Sequence, residues 1–244
     1  MRRQVRIRLA VVAATAAALA LAAPALGRSY EVTITNLTGG QPLSPPVVAT
    51  HKGSHAIFDV GRPASEGVKE IAENGNNAPL LAQLPTDNRI SDFTETGTGP
   101  LVPPGRPGSA MFGSRVSFTI TAGPGAKRLS FASMLICTND GFTGVDGLRL
   151  PTAREPKTVK GTRSYDAGTE VNTEAYADLV PPCQALIGDS AGENDAGTGV
   201  SNPALAEGGV IHRHQGILGI DDLSTSIHDW TDPVAQIKIE PAGG

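Results

Sequence analysis

Three acidic residues stand in short glycine-containing loops, at points where the sequence predicts strand ends. Asp140 lies in CTNDGF, directly after a strongly apolar segment, and Asp166 and Glu170 lie in YDAGTE. Ca²⁺ takes six to eight oxygen ligands from carboxylates, carbonyls and water. Loops at one end of a β-sandwich can bring such positions together. Spacing alone leaves two interpretations open, a Ca²⁺ site or acids that simply face solvent.

Asp146, in GVDGL, is a fourth acidic residue of the same region. It is near enough in sequence to be a further metal ligand. An aspartate in a turn also commonly accepts a hydrogen bond from its own backbone. We expect this local structural role for Asp146.

Ser190 is the second candidate for chemistry, because residues 188–192 (GDSAG) match the G-x-S-x-G pattern of hydrolases. A serine nucleophile needs a histidine base and an oxyanion hole, and the hydrolase elbow needs a strand before the serine and a helix after it. Here Pro-Pro-Cys precedes the motif and an acidic glycine-rich stretch follows it. We expect no nucleophile at Ser190, and a secreted serine hydrolase is the alternative function.

His212 and His214 form an H-x-H pair, a spacing that can bind zinc from one side of a strand. Two ligands do not make a zinc site, and no third ligand is adjacent. We expect surface or structural histidines. The lone Trp230 is expected to pack under the last strand.

Residues 1–27 have the layout of a secretory signal peptide, with a basic start, an apolar run and small residues at its end. The apolar run of ~15 residues is short for a membrane-spanning helix, and we expect no transmembrane segment after its removal. The alanine-rich leader indicates a bacterial source. The expected location is secreted or in the cell envelope.

The charge of the remaining chain restricts its partners. The leader holds four of the 20 basic residues and no acid, which leaves 16 basic against 24 acidic residues and a formal charge of −8. Nucleic acid binding needs clustered Lys and Arg, so it is excluded as a partner. An extracellular protein, a polysaccharide and a lipid surface remain open.

Cys137 and Cys183 are the two cysteines of the chain. In an oxidising compartment, a lone pair most simply forms one disulfide. Two free or metal-binding thiols are the alternative, although a thiolate zinc site needs more ligands at closer spacing.

Short alternating segments predict an all-β fold. Strands are predicted at 30–37, 47–50, 56–60, 115–121, 129–136, 142–150, 158–162, 174–179 and 234–239. The Gly-Pro-Gly turn at 123–125 predicts a hairpin, and 94–109 is predicted as a loop. One short helix is predicted at 64–74, capped by Ser65 and stopped by Gly75. The pattern favours one antiparallel β-sandwich domain over residues 28–244.

Three stretches together resemble the spondin N-terminal domain, known from F-spondin, mindin and many short bacterial proteins. They are ASEGVKEIAENG at 64–75, SMLICTNDGFTGVDGLRL at 133–150 and YDAGTE at 165–170. The resemblance extends over about residues 30–239. It implies an antiparallel β-sandwich like those of calcium-dependent membrane-binding domains, one bound Ca²⁺, and extracellular adhesion rather than catalysis.

The resemblance also implies the Ca²⁺ ligands. The aspartate of the family's PDW block falls on Asp140, and the two acids of its DAGTD block fall on Asp166 and Glu170. This sequence has Gly141 in place of the tryptophan and Glu170 in place of the last aspartate. Glutamate is still a hard carboxylate ligand, with one more methylene group.

Overall fold

The computed structural model describes residues 27–189 and 197–243. The predicted signal peptide, apart from Gly27, and Ser190 lie outside the described residues. The strands are β1 (Arg28–Asn36), β2 (Val47–His51), β3 (Ile90–Glu95), β4 (Arg115–Ala122), β5 (Arg128–Met134), β6 (Gly141–Arg149), β7 (Thr158–Asp166), β8 (His212–Arg213) and β9 (Ala235–Pro241). The helices are α1 (Glu66–Asn74), α2 (Ala78–Gln83), α3 (Pro182–Ile187) and α4 (Thr225–His228).

The strands form one antiparallel path that folds into two layers. Their order is β3-β2-β5-β6-β7-β9-β1-β4, and β8 pairs with β7. Strand β7 belongs to both layers, because residues 158–162 pair with β9 and residues 163–166 pair with β6. The predicted all-β antiparallel sandwich is confirmed.

The two edge strands of this path meet through side chains. Asp92 Oδ2 on β3 accepts from the amide of Thr121 on β4 at 2.8 Å, and Ser91 Oγ accepts from the amide of Gly123 at 2.7 Å. The sheet is therefore nearly closed.

One hydrophobic cluster lies between the layers, and a second lies under the helices. Strand β5 is buried on both faces: Leu129 and Phe131 pack into the first cluster, while Ala132 and Met134 pack into the second with α1 and α3. This position explains why β5 is evenly apolar, as a central strand is expected to be.

Helix α1 begins and ends where its caps predict. Ser65 Oγ accepts from the amide of Val68 at 3.3 Å, and Gly75 has a left-handed φ of 62°. Val68 and Ile71 are fully buried against the sheet. A single apolar stripe on a short helix is therefore enough to dock it.

Five parts of the sequence-based assignment are wrong. The turn at 123–125 crosses between layers, so β4 pairs with β1 and β5 pairs with β2 and β6, and no hairpin forms. Residues 56–60 form no strand, and neither do residues 174–179, where Glu174 has a φ of 60° that breaks an extended segment. Strand β3 falls partly in the predicted loop. The short helices α2, α3 and α4 were not predicted.

Cys137 and Cys183 form a disulfide, as predicted. It joins the chain just after β5 to helix α3, and both residues are buried. The two sulfurs lie near His228, but as disulfide sulfurs they are not thiolate ligands.

Candidate metal centre

The turn between β5 and β6 positions Asp140. Thr138 Oγ1 donates to the carbonyl of Leu135 at 2.6 Å and accepts from the amide of Gly141 at 2.9 Å. These bonds fix a tight turn. The Asp140 side chain is fully buried beside it, with the backbone carbonyl accepting from the amide of Ala167 at 3.1 Å.

Asp166 ends β7 and begins a compact loop. Its Oδ1 accepts from the amide of Gly168 at 2.8 Å, and its Oδ2 accepts from Asn172 Nδ2 at 2.7 Å. Gly168 has a φ of 68°, and a Cβ there would lie 2.6 Å from the amide nitrogen of Val210. Glycine is required at this position, because a larger residue would push the 205–212 segment off the loop.

The backbone of this loop binds Asp140. Asp140 Oδ2 accepts from the amides of Thr169 at 2.7 Å and Glu170 at 3.1 Å. Its Oδ1 is buried and has no hydrogen-bond partner among the described residues. One oxygen of the carboxylate is thus satisfied by the loop, while the other is not.

Three carboxylates converge here, from Asp140, Asp166 and Glu207. One oxygen of each lies within 4.8 Å of the other two. We call this set the acidic triad. The amide of Glu207 donates to the carbonyl of Thr169 at 3.1 Å, which holds the exposed Glu207 beside the two buried aspartates.

The acidic triad has little compensating positive charge. Of the described residues, no lysine or arginine forms an ion pair with its members, and His212 Nδ1 lies 3.6 Å from Asp166 Oδ1. That nitrogen also lies 3.0 Å from the carbonyl of Val210. Burial, and after it the charge of Asp166, raises the pKa of Asp140 to about 7. The group is therefore electrostatically unfavourable without a cation.

Glu170 is placed differently from the other two predicted ligands. Its backbone amide contacts Asp140, but its carboxylate is not part of the acidic triad. Its Oε1 accepts from the amide of Asn202 at 3.3 Å, and the side chain lines a cavity with Glu73 and Asp178. Burial raises the pKa of Glu170 to about 7, although the hydrogen bond from the amide of Asn202 acts in the opposite direction. Its role as a Ca²⁺ ligand stays a prediction.

Asp146 lies near the far end of β6 and supports a different segment of the chain. Its Oδ1 accepts from the amides of Ala56 at 3.0 Å and Ile57 at 3.1 Å and from Ser130 Oγ at 2.7 Å. His55 Nδ1 lies 2.6 Å from Oδ2. Asp146 is a structural residue, but the expected hydrogen bond to its own turn is wrong, because its carboxylate binds residues 55–57 and Ser130 instead. These bonds also help to explain why residues 56–60 form no strand, because the amides of Ala56 and Ile57 donate to the carboxylate and not to a neighbouring strand.

His214 and Trp230 pack against each other. Their ring centroids lie 5.0 Å apart, His214 Nδ1 accepts from the amide of Gly216 at 3.0 Å, and burial lowers the pKa of His214. Within the described residues, neither His212 nor His214 joins two further metal-ligating side chains. Trp230 contacts both hydrophobic clusters, as expected of a packing residue.

Comparison with known protein families assigns the chain to a family. The spondin N-terminal domain model (Spondin_N) matches residues 38–179, more than half of the sequence. The chain belongs to the spondin N-terminal domain family. A search of curated proteins finds no significant match. The family match contains Asp140, Asp166 and Glu170, and it ends before Glu207.

Membership of the spondin family, together with the disulfide, indicates an extracellular type of module. In the part of the chain that the structure describes, no helix has the length and apolar character needed to cross a membrane. Spondin domains are not a known enzyme family.

Sequence reasoning missed Glu207. It lies in ALAEGGV, 37 residues after Glu170, with no strand end or paired acid beside it. The adjacent Gly208-Gly209 pair is the one signal that could have found it, because glycines often mark the close approach of two backbones. Gly209 does make such an approach, its amide donating to the carbonyl of Gly168.

Proposed function

We propose that this spondin domain is a secreted binding and adhesion module that holds one Ca²⁺ at the acidic triad. The observation that carries the proposal is the buried, unpartnered Oδ1 of Asp140 beside two further carboxylates. Keeping this buried oxygen ionised is costly, as the raised pKa of Asp140 reflects, and a bound cation would offset that cost.

The donors of the triad fit Ca²⁺ in their chemistry. They are hard carboxylate oxygens on loops, with backbone carbonyls of the same loops nearby, and Ca²⁺ accepts irregular sets of this kind. Asp140 and Asp166 would hold the ion, with Glu207 or the predicted Glu170 completing the protein ligands. The bound ion would tie the β5–β6 turn to the loop after β7 and so stiffen one end of the sandwich.

Calcium should stabilise the protein modestly. Extracellular modules bind Ca²⁺ with Kd values of about 10⁻⁴–10⁻³ M, so 10 mM Ca²⁺ should add about 1–3 kcal/mol and raise Tm by a few degrees. Mg²⁺ should do less, because it requires a tighter octahedral shell. Thermal melts with Ca²⁺, Mg²⁺ and EDTA measure this, and Asp140→Asn and Asp166→Asn should each abolish most of the shift. Asp221→Asn, an exposed acid outside the triad, is the control.

The two glutamates can be separated by the same titration. If Glu207 is the third ligand, as its position in the acidic triad suggests, Glu207→Gln should weaken the Ca²⁺-dependent rise in Tm. If Glu170 is the third ligand, as the family resemblance implies, Glu170→Gln should weaken it instead. A Tm that neither Ca²⁺ nor EDTA changes, with no metal in the purified protein, would remove the calcium proposal and leave the fold.

We further propose that the protein is not an enzyme, so replacing Ser190 should have no effect on its function. The histidine near Asp189 supports this view: His228 is fully buried, with its ring nitrogens near the Ser224 carbonyl and the Tyr176 hydroxyl. A buried base with these contacts is poorly placed to activate a serine. Ser190→Ala should bind its targets like the wild type. Stoichiometric labelling of Ser190 by a fluorophosphonate would instead favour the hydrolase alternative.

A further inference from the structure

A cavity of about 300 Å³ lies at the C-terminal end of α1, beside the acidic triad but distinct from it. Glu73, Glu170 and Asp178 contribute to its wall, and its described lining residues include no Lys, Arg or His. The cavity therefore carries concentrated negative charge in a partly enclosed space, where the attraction of a cation is stronger than on an open surface.

Glu73 is the residue in this cavity whose position most needs an explanation. It is 5% exposed, and its Oε2 is buried without a hydrogen-bond partner among the described residues. Lys69 Nζ lies 4.0 Å from it, beyond hydrogen-bond distance. Glu73 is also in the last turn of α1, where the helix dipole disfavours a carboxylate. Among the described residues, the long ion pair with the partly exposed Lys69 is the compensation that this buried charge receives, and a cationic ligand would add to it at close range.

A second cavity, also of about 300 Å³, adjoins the first. Its wall is mostly apolar and includes Phe112, Met134 and Pro182. Asn74, Val180 and Gly199 line both cavities, so the two meet along these residues. An acidic pocket and an apolar pocket thus lie side by side.

We infer that this two-part groove binds an extracellular polypeptide through a lysine or arginine side chain in the acidic cavity and a neighbouring apolar side chain in the other. The inference rests on the proposed binding function and names the partner, but it does not depend on the calcium site. Concave pockets with a few placed charges and apolar walls are typical of ligand sites.

The charge of the groove selects among the partner classes. Sulfated or carboxylated polysaccharides and anionic lipid headgroups carry the same sign as Glu73, Glu170 and Asp178, and would be repelled. The formal charge of −8 over residues 28–244 adds long-range attraction for a basic chain. A basic and apolar peptide is the partner that both halves of the groove fit.

Three labelled synthetic peptides test the inference by fluorescence polarisation on the purified protein. One carries Leu-Lys-Leu between glycines, the second replaces its lysine with glutamine, and the third replaces its leucines with serine. We expect the first to bind about tenfold more tightly than either of the others.

Two variants of the protein test the two halves of the groove. Glu73→Gln should reduce the affinity for the Leu-Lys-Leu peptide about tenfold, and Phe112→Ala should weaken binding of the same peptide as well. Measuring in EDTA and in Ca²⁺ separates this site from the acidic triad, because binding that persists in EDTA is independent of the metal.

Glu66→Gln is the matched control, since it makes the same change on the exposed first turn of α1 and does not line the groove. It should leave peptide affinity unchanged. The melting temperature gives a second readout: Glu73→Gln should hold or raise it, because it removes a buried charge whose ion pair with Lys69 is long. Equal binding of the lysine and glutamine peptides, unchanged affinity in Glu73→Gln, or a large loss of stability in that variant would each overturn the inference. Binding of anionic vesicles or dextran sulfate in preference to the lysine peptide would do the same.

Discussion

Replacing Cys137 and Cys183 together with alanine should lower the free energy of unfolding by about 4 kcal/mol, the largest single loss that we expect. The disulfide spans a sequence separation of 46 residues and restricts the unfolded chain accordingly. It also ties the end of β5 to α3, a short helix that has no side-chain cap. For a protein of this size the loss corresponds to a fall in Tm of roughly 10 °C, measured by circular dichroism or calorimetry.

Chemical reduction is the matched control for the double variant. Including dithiothreitol during unfolding, when the buried sulfurs become accessible, breaks the same bond without removing either sulfur, so it should reproduce most of the loss. Mass spectrometry of the non-reduced protein should find the two peptides linked. A double variant that unfolds at the wild-type midpoint, or two thiols that alkylate quantitatively in the native protein, would refute a structural disulfide.

Asp146→Ala should cost about 3 kcal/mol, because it leaves several donors unsatisfied at once. The carboxylate is 6% exposed and accepts from two backbone amides and the Ser130 hydroxyl. Without the carboxylate, the amides of Ala56 and Ile57 lose their hydrogen-bond acceptor, and water replaces it only in part. Urea unfolding at neutral pH measures the effect.

Two variants test whether Asp146 acts through the metal centre or through its ion pair with His55. Asp146→Asn retains an acceptor and should cost less than Asp146→Ala, while the Ca²⁺-dependent rise in Tm should persist. His55→Ala should cost less than about 1 kcal/mol, since the imidazole is 54% exposed. Loss of the Ca²⁺ response in Asp146→Asn would show that this residue serves the metal after all.

The GVDGL motif shows why a sequence signature and a functional site need not coincide. This motif supports the family resemblance, yet Asp146 binds a loop, and Gly147 has a φ of 72° where a Cβ would lie 1.9 Å from the carbonyl oxygen of Ser54. Both residues are needed to pack the 54–57 segment against β6. The motif specifies the fold.

The sequence by itself determined most strands, helix α1 and the disulfide. These features depend on local physics: period-two alternation marks a strand, and the Ser65 and Gly75 caps mark α1. The disulfide was predicted from the presence of two cysteines in a chain whose first 27 residues predict export. Asp140 and Asp166 could likewise be proposed from the sequence, because each lies in a glycine-containing acidic motif close to a predicted strand, although β7 extends four residues beyond its predicted end.

Only the tertiary structure decided which strands pair and which carboxylates meet. The turn at 123–125 has hairpin chemistry, but burial of both faces of β5 places β2 and β6, rather than β4, beside it. Glu207 joins Asp140 and Asp166 because the glycines at 168 and 209 let two distant backbones touch. Glu170, adjacent in sequence to that loop, has its carboxylate in a separate cavity with Glu73. Convergence of this kind depends on long-range packing, which local residue patterns do not encode.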